Sequence, residues 1–224
     1  MRAQDLPAFN DMSPVKGMPQ GTAWGLFDKN GERDNCGTLN LLKPENTLEA
    51  SKEIKSGRSV ALKSLGSPIH IPLLQQPPPL PGAHKNGIEA WTTCGIVGRG
   101  ILIDYVAYAQ RRNISYLPVS RHGISIETIE EIAREQGVIF RQADILIVRS
   151  EFVKWYEEAG AEERIQSVKN AHESAGVKRC KETVEWIWNG HFPAVAGDTV
   201  GFGCSPPAEK HSEWVLHDWL LALL

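Results

Sequence analysis

The side chains able to do acid–base or metal chemistry are dispersed along this chain. Its seven histidines are His70, His84, His122, His172, His191, His211 and His217. No two stand four residues apart, the spacing that places two imidazoles on one helix face to share a metal ion. Ser120 lies two residues before His122, but no glycine-flanked nucleophile elbow surrounds it, so a serine-hydrolase reading has little support. Asp198 follows the short apolar segment of AVAGDT, and Gly197 permits a sharp change of direction there. A carboxylate at a strand end can face an active-site crevice, or it can cap a turn or helix. Asp198 is therefore a weak catalytic candidate, with capping as the alternative, and Asp104 has the same ambiguity. His217 opens the apolar run LHDWLLALL, where an imidazole can cap a helix, face water or act as a ligand.

The cysteines and glycines add little chemistry. Cys36, Cys94, Cys180 and Cys204 form no C-x-x-C pair, so neither a zinc knuckle nor a disulfide framework is expected. Four scattered thiols fit a reducing, cytoplasmic location. The loop Gly95-Ile-Val-Gly98-Arg-Gly100 precedes a strand, whereas a dinucleotide fingerprint follows one and opens a helix. It reads as a close-packing turn. A net charge of −3 with both signs interspersed offers no basic footprint for nucleic acid. No apolar run approaches the roughly 20 residues that span a bilayer.

The elements that must position these residues alternate between helix and strand. Residues 1–20 are polar and proline-bearing, lack a signal-peptide core, and read as a flexible arm. Residues 21–224 read as one α/β domain. Pro44 suits a first helical turn, and Leu48, Ser51 and Ile54 fall near one face, with Gly57 as a stop. Ser59 to Leu62 reads as a short strand. Residues 71–87 form a proline-rich joint, IPLLQQPPPLPGAHKNG, held extended by Pro77, Pro78, Pro79 and Pro81. Ile101 to Ile103, Ile145 to Val148 and Ala194 to Ala196 read as buried strands. Ser125 caps a helix with Ile126, Ile129, Ile132 and Ala133 on one stripe and Gly137 at its end. Further helices are expected at 105–112, 151–159, 179–189 and 214–224.

Seven segments, in this order, resemble the cyclase family of metal-dependent hydrolases, which includes kynurenine formamidase and isatin hydrolase. They are Trp24-Gly25, Leu39-Asn40-Leu41-Leu42, the Gly95–Gly100 loop, Asp144-Ile145-Leu146-Ile147-Val148-Arg149, Glu185-Trp186-Ile187-Trp188, Ala196-Gly197-Asp198 and His217-Asp218-Trp219-Leu220-Leu221. The GIVGRG and AVAGD segments are most similar to the fungal-type branch. The resemblance implies a swivelling β/β/α domain that hydrolyses amide C–N bonds, as in tryptophan catabolism to kynurenine. It also implies zinc or manganese, held by the histidines and aspartate of H-x-G-T-H-x-D, with a later histidine assisting proton transfer. A divalent ion lowers the pKa of bound water to about 7, which makes hydroxide available for attack on an amide carbonyl.

That motif is absent from this sequence, and the proline-rich joint stands in its place. His70 precedes the joint and His84 lies within it, neither matching the pattern, and no aspartate occurs between Asp34 and Asp104. His217 matches the family's His-x-x-Leu-Leu segment, whose histidine is a metal ligand or proton relay, and is the remnant metal-ligand candidate. The family continues into a glycine-rich turn and a ligand glutamate, which this sequence does not reach, so an incomplete, truncated fold is expected. The expectations are an impaired or inactive amide hydrolase of kynurenine formamidase type that does not hold its metal. The alternatives are a non-catalytic pseudoenzyme partnering intact relatives, or the product of a misjoined or spliced gene. Expected partners are a small-molecule amide if the chain is active, and a further copy in a homo-oligomer. Neither nucleic acid nor membrane is expected.

Overall fold

A computed structural model of the 224-residue chain describes residues 5–59, 91, 95–207 and 214–224. The described strands are β1 (Gly100–Asp104), β2 (Gly123–Ile124), β3 (Ile145–Arg149), β4 (Gly176–Val177) and β5 (Ala194–Gly197). The longer ones form a parallel three-stranded sheet in the order β1-β3-β5, with Leu102 opposite Ile147 and Ile147 opposite Ala196. The short parallel pair β2-β4 was not foreseen from sequence. At two residues a strand carries no readable alternation.

The helices are α1 (Pro44–Ser51), α2 (Tyr105–Arg111), α3 (Ile126–Gln136), α4 (Phe152–Glu158), α5 (Ala161–Arg164), α6 (Lys181–Asn189) and α7 (Leu216–Asp218). α3 forms as expected. The Ser125 hydroxyl accepts from the Thr128 N–H at 3.3 Å, the four stripe residues are buried, and Gly137 ends the helix at φ +67°. Val184, Ile187 and Trp188 of α6 are also buried. The expected terminal helix is reduced to α7 and a following π turn, Trp219–Leu223.

Alternation along the sheet separates two faces. Ile101, Ile103, Leu146 and Val148 point into the helix-covered core. Leu102, Ile147 and Ala196 share the opposite face, where Leu102 is 46% exposed and Ala196 is also exposed. A fully buried parallel sheet would cover both faces. Among the described residues, this second face is left largely open.

Three expectations need correction. The flexible arm is packed from Phe9 onward: Phe9 and Met12 are buried, Phe9 N–H donates to Asn189 Oδ1 at 2.9 Å, and Trp188 Nε1 donates to the Pro7 carbonyl. Apolar side chains spaced among polar ones escaped the composition reading. The helix from Pro44 ends at Ser51 rather than near Gly57, so Ile54 lies beyond it, and Leu48 and Ile54 are both about 70% exposed instead of forming a core face. Cys36 is disulfide-bonded, while Cys180 and Cys204 are free. Distance along the chain does not fix distance in space, so the four-thiol reading behind the cytoplasmic expectation fails at Cys36. The joint, the Ser59–Leu62 strand beyond Ser59, His70 and His84 lie outside the described residues. Among the described residues no helix is long and apolar enough to cross a membrane.

The Phe9 ring occupies the space that a Cβ on Gly21 would need, 2.2 Å from its Cζ. Phe9→Ala is expected to cost about 3–5 kcal/mol, as for other buried aromatic truncations. Ile54→Ala at its exposed site should stay within about 0.5 kcal/mol of the parent. Urea unfolding of both variants tests this, and equal midpoints would show that residues 5–12 do not contribute to the core.

Candidate functional site at the carboxyl edge of the sheet

Parallel strands deliver the residues that follow them to one edge of a sheet. Here β1 presents Asp104 and Tyr105, β3 presents Arg149, Ser150 and Glu151, and β5 presents Asp198. Most of these groups hold one another in place. Asp104 accepts from the Ala107 N–H at 3.0 Å, which caps α2, and takes both bonds of the Arg149 Nη1 contact at 3.0 and 3.2 Å.

Asp198 accepts from the Ser150 N–H at 2.5 Å, the Ser150 hydroxyl at 3.1 Å and the Glu151 N–H at 3.0 Å. These bonds pin Glu151 in the left-handed region, at φ +70°, immediately before α4. Three donors directed at one carboxylate fix its orientation. These bonds give Asp198 a structural role in the connection from β3 to α4.

Beside this carboxylate lies a cluster that the sequence did not reveal. The Tyr105 hydroxyl is 2.5 Å from His122 Nε2, and the His122 ring stacks on Tyr116 at a centroid distance of 4.8 Å. The Tyr116 hydroxyl donates to the Ser150 carbonyl at 3.2 Å, which joins the cluster to the Asp198 network. Burial lowers the pKa of His122 and raises that of Tyr105. Burial, reinforced by the Glu151 charge, also raises Tyr116. At neutral pH the set is thus a neutral imidazole facing two protonated phenols, suited to holding a proton at Tyr105. Tyr105 is 3% exposed, which keeps this proton from direct solvent contact. Tyr105 and His122 are 17 positions apart, so no local spacing could have paired them. Ser120 takes no part, since its hydroxyl donates to the Leu117 carbonyl.

The glycine loop has the expected close-packing role. A Cβ on Gly98 would stand 2.9 Å from Leu42 Cδ2, and Arg99 pairs with the buried Asp144 at 2.9 Å. His217 is apart from the carboxyl-edge network. It lines a cavity of about 220 Å³ with His172, Glu173, Ser174, Arg179 and Ser205, and Asp198 is not among the lining residues.

A catalytic zinc or manganese centre needs about three protein donors. Among the described residues, no group of three or more His, Cys, Asp or Glu side chains is placed to hold a metal ion. His217 with its neighbours does not fit the implied metal. A second cavity of about 650 Å³ lies at the opposite, amino end of β5, walled by Trp24, Phe27, Trp188, Phe192 and Val195, with Arg33 beside them.

His122 gives the edge cluster a pH signature. In the unfolded chain it takes up a proton near pH 6.5, but in the fold it does so only at lower pH. The unfolded state therefore gains protons first as pH falls. Stability is intact above about 6.5 and declines as pH drops through that value toward the folded pKa. His191 is shifted in the same direction by burial. Urea midpoints at about pH 7.5 and about pH 5.5 should converge partly in His122→Gln and further in the double variant with His191→Gln. An unchanged gap between the two midpoints would assign the acid sensitivity elsewhere.

No family model and no curated protein matches the sequence. Among solved structures, the chain is similar to a novel cyclase. The two are 20% identical, with a TM-score of 0.63 over 83% of this chain and 77% of that one. At this identity the likeness is one of fold, and it agrees with the mixed α/β architecture of the cyclase resemblance.

Proposed function

We propose that this chain is a cyclase-type scaffold of kynurenine formamidase lineage with little or no amide-hydrolase activity. The fold likeness to a cyclase supports the lineage. The observation that carries the loss of activity is the donor inventory. The H-x-G-T-H-x-D motif is missing from the sequence, and no three-donor set occurs among the described residues. His217 shares its cavity with His172 and Glu173, but these three are not placed to hold one ion. The described carboxylates at the sheet edge are committed to capping and ion pairing, as Asp104 and Asp198 show. Purified protein should bind well under one equivalent of Zn²⁺ or Mn²⁺ and hydrolyse N-formylkynurenine no faster than buffer. About one equivalent of bound metal with turnover above background would sink the proposal.

The open sheet face favours a second role, as a binding protein that pairs with a further copy or with an intact relative. Leu102 and Ala196 lie across Ile147 from each other on that face, and single exposed apolar residues carry less weight than such a contiguous set. Leu102→Glu should turn an oligomer measured by light scattering into a monomer. A parent protein that is monomeric and stays monomeric beside a full-length relative counts against this role.

A further inference from the structure

We infer that the cavity beside His217 is a binding site for a small oxyanion, a role distinct from the metal role suggested by resemblance. Its walls carry an excess of hydrogen-bond donors. Arg179 contributes a permanent positive charge, its Nε is buried without a hydrogen-bond partner, and its Nη2 reaches only the Gly203 carbonyl at a long 3.4 Å. A guanidinium at a cavity wall with so little internal pairing of its Nη2 suits a carboxylate or phosphate.

The remaining wall groups are also uncommitted. Ser174 is 2% exposed and lines the cavity. Its backbone N–H and carbonyl pair with Ser205, but its hydroxyl has no partner among the described residues. A hydroxyl at the cavity wall can donate to an oxyanion bound there. Ser205, His172 and His217 line the same space and likewise make no side-chain hydrogen bond among the described residues. Each imidazole can offer an N–H in its neutral form, so donation does not require either histidine to be charged.

The cavity has a built shape. Gly201 and Gly203 form part of its wall, and a Cβ on Gly201 would come within 3.0 Å of His217 Cε1. A Cβ on Gly203 would meet Arg179 Nε at 2.9 Å. The glycines thus let the backbone approach both donor groups. At about 220 Å³ the space is smaller than the roughly 300–1,000 Å³ of drug-sized pockets, which selects a small ligand. Glu173 is the one carboxylate in the lining and makes no ion pair among the described residues. It opposes an anion and sets the affinity below what the donors alone would give.

Titration calorimetry of the full chain with inorganic phosphate, and separately with acetate, tests the site. Saturable one-site binding of either is expected, and the preferred ion tells a phosphorylated ligand from an organic acid. Arg179→Gln and Ser174→Ala should each weaken binding, the first by about tenfold or more. Glu173→Gln should tighten it. Ser174→Ala removes only a hydroxyl and guards against misfolding in the arginine variant, with circular dichroism as the check on both. No saturable binding of either ion, or equal binding by parent and both donor variants, overturns the site. So does Zn²⁺ binding that depends on His217 but not on Arg179. This outcome is separate from the hydrolase question, because oxyanion binding is read without turnover.

Discussion

Pairing of β3 on both of its edges is the constraint on which the rest of this structure depends. Leu146 and Val148 are buried on one side of that strand, and the registers with β1 and β5 follow from their position. A slip of one residue would turn Leu146 to the open face and Ile147 into the core, exchanging the two faces of the whole sheet. Fixing this register also fixes which side chains reach the carboxyl edge. Arg149 must then meet Asp104, and Ser150 must meet Asp198.

The same constraint explains why the edge is rich in polar groups yet poor in free ones. Crowding three strand ends places several N–H groups where no ladder continues, and Asp198 and Asp104 satisfy them. A carboxylate engaged in this way holds the connection between a strand and the helix that follows it. The groups left uncommitted lie elsewhere, around Arg179 and Ser174.

How much could be read from the sequence depended on the range of the interaction. The three long strands, α3 with its Ser125 cap and Gly137 stop, and the stripe of α6 were legible, because each signal lies within about a dozen neighbouring residues. Asp198 and His217 could be named as candidates, but their partners could not. Which of two roles a carboxylate plays depends on donors 47 and 48 positions away. The Tyr105–His122 contact, the disulfide at Cys36 and the packing of Phe9 were hidden for the same reason: all are decided by tertiary placement. The exposure of Leu48 and Ile54 is the converse case, where a local spacing had no tertiary partner to bury it.

The two ends of the described chain are stitched together. Phe9 packs on Trp219 at 5.6 Å, the Ala23 N–H donates to the Leu223 carbonyl, and Trp24 Nε1 donates to the Ala222 carbonyl. During synthesis, the amino-terminal aromatic emerges from the ribosome long before its partner exists. At about 5–20 residues per second, roughly ten seconds or more must pass with this side of the core unclosed. Contacts of such long sequence separation also make closure slow once the chain is free. The core around Phe9 is therefore a late event in the chain's history, completed only when residues more than 200 positions apart have met.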